Sequence, residues 1–283
     1  SNPYHHQTKS FEEFSKGKNL FVSTGTGSGK TECFIVPAMM HLIEESIRRK
    51  QSWESKGVRI LILYPMNALV NDKLSRIRKL FGYEKIADII KQDRDRPVRF
   101  ATYTGRTPYP GVFNKTKCTK RIEPIFRDWY IPLATDPKNL SQKNELINLG
   151  RFPAKDLVAF YNEQARTGNN RNWQNRLQTQ LLDRELLTRH EVQNETPDIL
   201  ITNYTMLEYM LLRPIETNIF LETKNWLKQD ENNKFLLILD EAHMYRGSGG
   251  AEVALLIRRL LSRIGANRDQ LKCILTTASI PEN

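Results

Sequence analysis

Six short apolar runs punctuate the chain: Leu20 to Ser23, Arg59 to Tyr64, Val98 to Tyr103, Ile199 to Thr202, Phe235 to Leu239 and Lys272 to Thr276. Longer segments with apolar residues at helical spacing lie between them. Such alternation predicts an α/β fold, a mostly parallel central sheet with crossover helices on its faces. After the second run, Asn67 to Leu80 has the spacing of a helix. After the fifth, Val253, Leu256, Ile257, Leu260 and Ile264 share one face of a predicted helix while Arg258, Arg259 and Arg263 take the other, so this helix should dock on the sheet.

The alternation breaks between Thr107 and Glu195, a stretch rich in Asn, Gln, Lys and Arg and too long for a plain loop. Helix-like patterns at Ala154 to Arg166 and Trp173 to Arg189, with polar Thr167 to Asn172 between them, predict a helical, basic insertion. The expected division is therefore a core built from residues 1–106 and 196–283, interrupted by an insertion over 107–195.

Composition narrows the class. With 39% hydrophobic and 27% charged residues the chain is that of a globular protein with a real core. The longest apolar runs, Leu236 to Leu239 and Val253 to Ile257, fall far below the roughly 18–20 residues that a membrane span requires, and a cytoplasmic location without membrane contact is expected. Cys33, Cys118 and Cys273 stand far apart, which suggests neither a disulfide framework nor a zinc site. The formal charge of +11, from 43 Lys and Arg against 32 Asp and Glu, favours a polyanionic partner through counterion release.

The most informative segment is Phe21 to Glu32, Phe-Val-Ser-Thr-Gly-Thr-Gly-Ser-Gly-Lys-Thr-Glu. An apolar strand runs into a loop carrying Gly25, Gly27 and Gly29, and Lys30 and Thr31 then open a helix. Backbone N–H groups in such a loop can curl around a phosphate, with the helix N-terminus adding positive potential. Thr26, Gly27, Ser28, Gly29, Lys30, Thr31 and Glu32 are the expected nucleotide-binding residues, Lys30 reaching the β and γ phosphates and the Thr31 hydroxyl able to ligate Mg2+. Thr24 stands where the usual pattern has Gly. A second apolar strand, Phe235 to Leu239, ends in Asp240-Glu241-Ala242-His243. Asp240 is expected to hold Mg2+ through water, Glu241 to polarise an attacking water, and His243 to link this site to the rest of the protein.

These segments resemble the DEAH-type helicases of superfamily 2, specifically their first RecA-like domain, and the likeness spans nearly the whole chain. That family accepts Ala or Thr at the first loop position, so Thr24 is no departure from it. Gln7 is similar to the adenine-reading glutamine of the family, or is a surface glutamine. Tyr64-Pro65-Met66-Asn67-Ala68-Leu69 resembles motif Ia, Thr104-Gly105-Arg106 resembles motif Ib, and Thr202-Asn203-Tyr204 resembles the following strand-end motif. The resemblance implies nucleic-acid backbone contacts at Pro65, Asn67, Thr104, Gly105, Arg106, Thr202 and Asn203, of a kind that carries no base sequence information. Thr276-Thr277-Ala278-Ser279 sits where the family couples nucleotide to nucleic acid, in a different residue order. The run Asp240 to Gly247, with Tyr245-Arg246-Gly247 after the box, and the segments Thr107-Pro108-Tyr109-Pro110-Gly111 and Arg184 to His190 further resemble large bacterial anti-phage defence helicases.

The resemblance implies an ATP-dependent helicase or translocase with ATP and Mg2+ as cofactors. Its expected partners are single-stranded DNA or DNA with a single-stranded tail, a second RecA-like domain of the same protein that completes the cleft, and proteins of a defence system. On this reading the chain alone has little ATPase activity. A nucleotide-switched DNA-binding or remodelling module is the alternative. Lys73 departs from the Gln often found after motif Ia. Lys115, Lys117, Lys120, Arg121, Arg171 and Arg176, interleaved with Trp129, Tyr130 and Trp173, read either as a second nucleic-acid surface or as a solvated face packed on another domain.

Overall fold

The computed structural model describes residues 3–25, 27–82, 96–108, 114, 116, 120–162, 176–245 and 247–278, with the side chains of residues 67–69, 71, 72 and 248 outside the description. Seven strands form one sheet in the order β1-β7-β6-β2-β5-β3-β4. They are β1 Leu20–Ser23, β2 Ile60–Tyr64, β3 Phe100–Tyr103, β4 Glu185–Leu186, β5 Ile199–Asn203, β6 Phe235–Leu239 and β7 Leu271–Thr277. Every pairing is parallel. Six strands coincide with the apolar runs, and the sheet is wholly rather than mostly parallel.

The central strand shows why an unbroken apolar run was needed. Every residue of β2 is buried, because alternate side chains leave opposite faces and both faces are covered. Ile60, Ile62 and Tyr64 pack with Phe34 and Leu42 of helix α2 (Glu32–Arg48) and with Leu74 and Ile77 of helix α4 (Asn67–Phe81). Phe14 of the first helix, α1 (His5–Ser15), joins the same layer, and α3 (Lys50–Glu54) follows α2. Leu61 and Leu63 point the other way, into a layer that holds Met206, Phe220, Trp226, Val253, Leu256, Leu260 and Ile264. The last four of these belong to the helix predicted from Val253 to Ile264, which runs from Gly247 to Ile264, while Phe220 and Trp226 lie on helix Thr217–Gln229.

The insertion differs from expectation. It has a small core of its own, Ile122, Phe126, Leu133, Phe152, Leu157, Phe160, Tyr161 and Leu177, but it also supplies β4, whose Glu185 and Leu186 pair with Phe100 and Ala101 at the sheet edge. Trp173 to Arg189 is not a helix over its described residues. Leu177 takes a left-handed backbone (φ 55°), residues 178–184 are irregular, and helix begins only at Arg189. Ala154 to Arg166 holds only the short helix Leu157–Tyr161, and residues 163–175 lie outside the description. Buried ion pairs explain the misreading, since they place charged residues where a surface pattern was expected. Arg176 is 1% exposed and donates to Glu123, with its guanidinium over the Tyr161 ring. The Lys155 ammonium is enclosed by Asp183 and Glu191.

Candidate nucleotide site

Because all strands run the same way, every loop at their C-terminal ends opens on one rim of the sheet, the rim where open parallel sheets take ligands. A cavity of about 840 Å³ lies there, lined among others by Tyr4, Gln7, Gly29, Lys30, Thr31, Lys73 and Glu241. The structure thus joins the N-terminal glutamine, the glycine loop and the acidic box, which are separated by most of the chain.

Gln7 is buried, not a surface residue. Its Oε1 accepts from the Tyr4 backbone N–H at 2.8 Å and its Nε2 donates to the Gly29 carbonyl at 3.0 Å. Gly29 is required there: φ is +78°, and a Cβ would stand 2.5 Å from Gln7 Nε2, in a conformation that L side chains rarely adopt. Gly27 also has positive φ, +77°. The loop is closed by Thr24 Oγ1 and Ser28 Oγ at 2.7 Å. Thr26 lies outside the described residues. Glu32, the first residue of α2, pairs with Arg76 of α4 at 2.6 Å across the cavity wall.

Lys30 and Asp240 give the site its electrostatic character. The Lys30 side chain is buried and its Nζ makes no hydrogen bond. Asp240, 1% exposed, directly follows β6. Its Oδ1 accepts from the Glu241 backbone N–H at 3.0 Å and from the Thr276 hydroxyl of β7. Its Oδ2 accepts no hydrogen bond and faces the Lys73 ammonium at 3.4 Å, while Lys73 Nζ donates to Thr31 Oγ1 at 2.8 Å. Buried polar groups normally find partners, so an unpaired ammonium on the cavity and a half-satisfied carboxylate facing the cavity-lining Lys73 mark a place prepared for a charged ligand. Glu241 follows in a left-handed conformation (φ 54°, ψ 44°), and His243 Nδ1 stands 3.4 Å from its Oε2. Burial and the Asp240 charge together push the Tyr245 phenol up.

The donor set fits Mg2+. Thr31 Oγ1 and Asp240 Oδ2 are hard oxygen ligands, and among the described residues no cluster of three His, Cys, Asp or Glu could cage a metal alone. That is the arrangement in which nucleotide phosphates and water complete the octahedron.

The other predicted residues fall elsewhere on the rim. The Thr276 hydroxyl touches Asp240, whereas Thr277 is buried with no bond from its hydroxyl, and its carbonyl accepts from the Thr24 N–H at 3.4 Å. Thr202 is fully buried and its hydroxyl donates to the Tyr103 carbonyl at 2.6 Å. Asn203 caps helix Tyr204–Leu212 by accepting from the Met206 N–H at 2.8 Å. Thr104 is buried, its carbonyl held by Arg189 at 2.7 Å, while Gly105 and Arg106 are exposed. Pro65 is half-buried at the C-terminal end of β2, and the Asn67 side chain lies outside the description. In the insertion, Lys120, Arg121 and Trp129 are exposed, but Arg176 and Tyr130 pack inward. Lys115, Lys117, Arg171 and Trp173 lie outside the described residues.

Sequence reading passed over Lys73 and Arg76 as site residues. Their i, i+3 spacing on α4 was the available signal, for it puts both on the face that meets the loop.

The family model for DEAD/DEAH box helicases matches residues 4–107. The chain carries a DEAD/DEAH-type helicase domain. Over 98% of its length it is 52% identical to the Druantia protein DruE of Escherichia coli (strain UMEA 4076-1), of which it spans 16%. It is 32% identical, over 33% of its length, to the uncharacterized ATP-dependent helicase MJ1574 of Methanocaldococcus jannaschii, of which it spans 13%. Among solved structures, the DUF1998 helicase MrfA is 22% identical, matching 99% of this chain and 27% of that one at a TM-score of 0.49. The DEAD-box helicase Mss116 is 15% identical, matching 97% of this chain and 35% of that one at 0.47. The family match over 4–107 ends before Asp240; the nearness of the acidic box to the glycine loop is seen in the geometry around Lys73. Among the described residues no helix is long and apolar enough to cross a membrane.

Proposed function

We propose that the cavity binds ATP and that the protein uses its hydrolysis to move along nucleic acid, DNA rather than RNA, within a phage-defence role akin to that of the helicases its sequence resembles. The observation that carries this reading is that one cavity is lined by Lys30, whose buried ammonium is unpaired, by Thr31, and by Lys73, which joins Thr31 Oγ1 to Asp240 Oδ2. Such a set matches the charge of a triphosphate and its metal, and loop N–H groups would hold the phosphates.

Each residue has a task. Gln7, locked by Tyr4 and Gly29, would present its amide edge to the base. Lys30 would move from solvent-free isolation to the β and γ phosphates. Mg2+, held by Thr31 and through water by Asp240, would supply charge neutralisation at the phosphate oxygens. Glu241 would orient the attacking water and accept its proton. Thr276 would report the state of Asp240 to β7, and Thr277 and His243 would carry that signal on. A second RecA-like domain would complete the cleft, with residues 107–195 as an insertion into this one.

The nucleic acid would lie along the rim of Pro65, Asn67 and Thr104 to Arg106. With Thr104 and Thr202 buried and Asn203 engaged as a cap, and with the Thr104 and Arg106 N–H groups held within the turn, this rim offers the exposed Gly105 and the Arg106 side chain, contacts that grip a backbone without reading bases. The net charge of +11 supports such a partner.

The test is ATP turnover by the full-length protein with and without single-stranded DNA, with Glu241→Gln as the control. Many-fold stimulation by DNA that the substitution abolishes is the expected result. Background turnover under both conditions would sink the motor reading.

A further inference from the structure

We propose that Lys73 is a resident cation of the phosphate site: its ammonium ties the phosphate loop to the acidic box before nucleotide arrives, and divalent metal can enter only by displacing it. The inference rests on the ATP reading of the cavity and concerns how metal is admitted to it.

The geometry is specific. Lys73 Nζ donates to Thr31 Oγ1 at 2.8 Å and faces Asp240 Oδ2 at 3.4 Å. Those are the two protein oxygens that fit Mg2+, and a metal bonded to either would sit about 2.1 Å from it. Ammonium and metal would then lie within a few ångströms, too close for two cations to share the position without strong repulsion. A helix-surface lysine in a casual ion pair would be solvated, but the Lys73 side chain is only 15% exposed and both of its partners are buried. Asp240 Oδ2 accepts no other bond, whereas Oδ1 already has two donors. The free oxygen is thus the one that looks to Lys73.

Lys30 does not do this work. Its Nζ is unbonded, so the loop's own lysine is left ready for phosphate while a lysine from α4 holds the metal ligands together. Lysine suits the part because its ammonium rides on a flexible four-carbon stem and can swing aside. Once displaced, it would remain on the cavity wall beside Arg76, within reach of phosphate oxygens. The consequence is ordered loading: free divalent metal binds weakly, and metal bound to a triphosphate, which brings its own negative charge, binds well.

Mn2+ titration of the full-length protein, followed by the electron paramagnetic resonance signal of the free ion, tests this without any turnover. Lys73→Gln should tighten Mn2+ binding to the nucleotide-free protein by about tenfold, the scale of one like charge removed at contact distance. It should shrink the gain in Mn2+ affinity caused by a non-hydrolysable ATP analogue by the same factor. Lys73→Arg, which keeps the charge, should restore weak binding, and Lys73→Met repeats the test if the Gln variant melts early. Unchanged Mn2+ affinity in folded Lys73→Gln and Lys73→Met, with the ATP analogue still binding to the wild type, would overturn the inference and leave the ATP reading standing. Absence of analogue binding to the wild type would overturn the ATP reading and the inference with it.

Discussion

The two ends of the sheet carry buried charge in opposite states. Below the sheet, where β2 and β5 begin, Arg59 is fully enclosed and every one of its nitrogens is bonded. It reaches Glu45 at 3.1 and 3.3 Å and the carbonyls of Ser52, Ser55 and Gly57, and it stands 3.3 Å from Asp198. Arg96 takes both oxygens of Asp198 at 2.8 and 2.9 Å, and Trp226 Nε1 donates to Glu45 at 2.8 Å. The Trp226 and Trp53 rings flank the Arg59 guanidinium at 4.8 and 5.5 Å. Above the sheet, Lys30 Nζ and Asp240 Oδ2 are buried without hydrogen bonds. A satisfied cluster belongs to the scaffold, and an unsatisfied one is stability forgone for a ligand.

The largest effect should come from breaking the lower cluster. Arg59→Met leaves Glu45 and Asp198 buried without their shared partner, and urea denaturation should show a loss of about 3–5 kcal/mol. Arg59→Lys should recover only part of it, because one ammonium cannot reproduce the fork.

A smaller effect sharpens the pH dependence of that end. His41 is buried on α2 and donates from Nε2 to the Lys234 carbonyl at 2.8 Å; burial lowers its pKa to about 4. The folded state keeps the ring neutral while the unfolded chain takes a proton near pH 6.5. Stability is therefore complete above that value and is lost as pH falls toward 4. Between pH 7.5 and 5.5 the wild type should lose about 1.4 kcal/mol more than His41→Gln in paired urea titrations.

The upper cluster should respond least in stability and most in binding. Lys30→Met removes an unpaired buried cation, so the melting temperature should hold or rise, while affinity for a fluorescent ATP analogue should fall at least about tenfold, the worth of a charged hydrogen bond. A clear drop in melting temperature would erase the contrast between the two ends.

Legibility in the sequence followed the same division. β2, β5 and β6 were plain because burial on both faces leaves unbroken apolar runs. The glycine loop and Asp240-Glu241 were plain because their chemistry fixes residue types at fixed spacing. Glu185–Leu186 was not, since two residues become a strand only through their register with Phe100 and Ala101. Arg176 looked like surface because its partner, Glu123, is distant in sequence. Lys73 looked like a bare departure because its meaning lies in Thr31 and Asp240, brought to it by two other elements.

Helix α4 is one rod of 15 residues, about 22 Å long at the usual rise. Its first turn follows Pro65 on the proposed nucleic-acid rim, its middle bears Lys73 and Arg76 on the cavity, and near its end Arg78 grips Glu185 of the insertion at 2.6 and 2.8 Å. In mechanical terms it is a lever with its load at one end, its drive at the centre and a hinge pin at the other. A push delivered at Lys73 would be geared outward if the Arg78–Glu185 bonds held as the pivot, and the arm over the rim would then sweep farther than the point where the force enters.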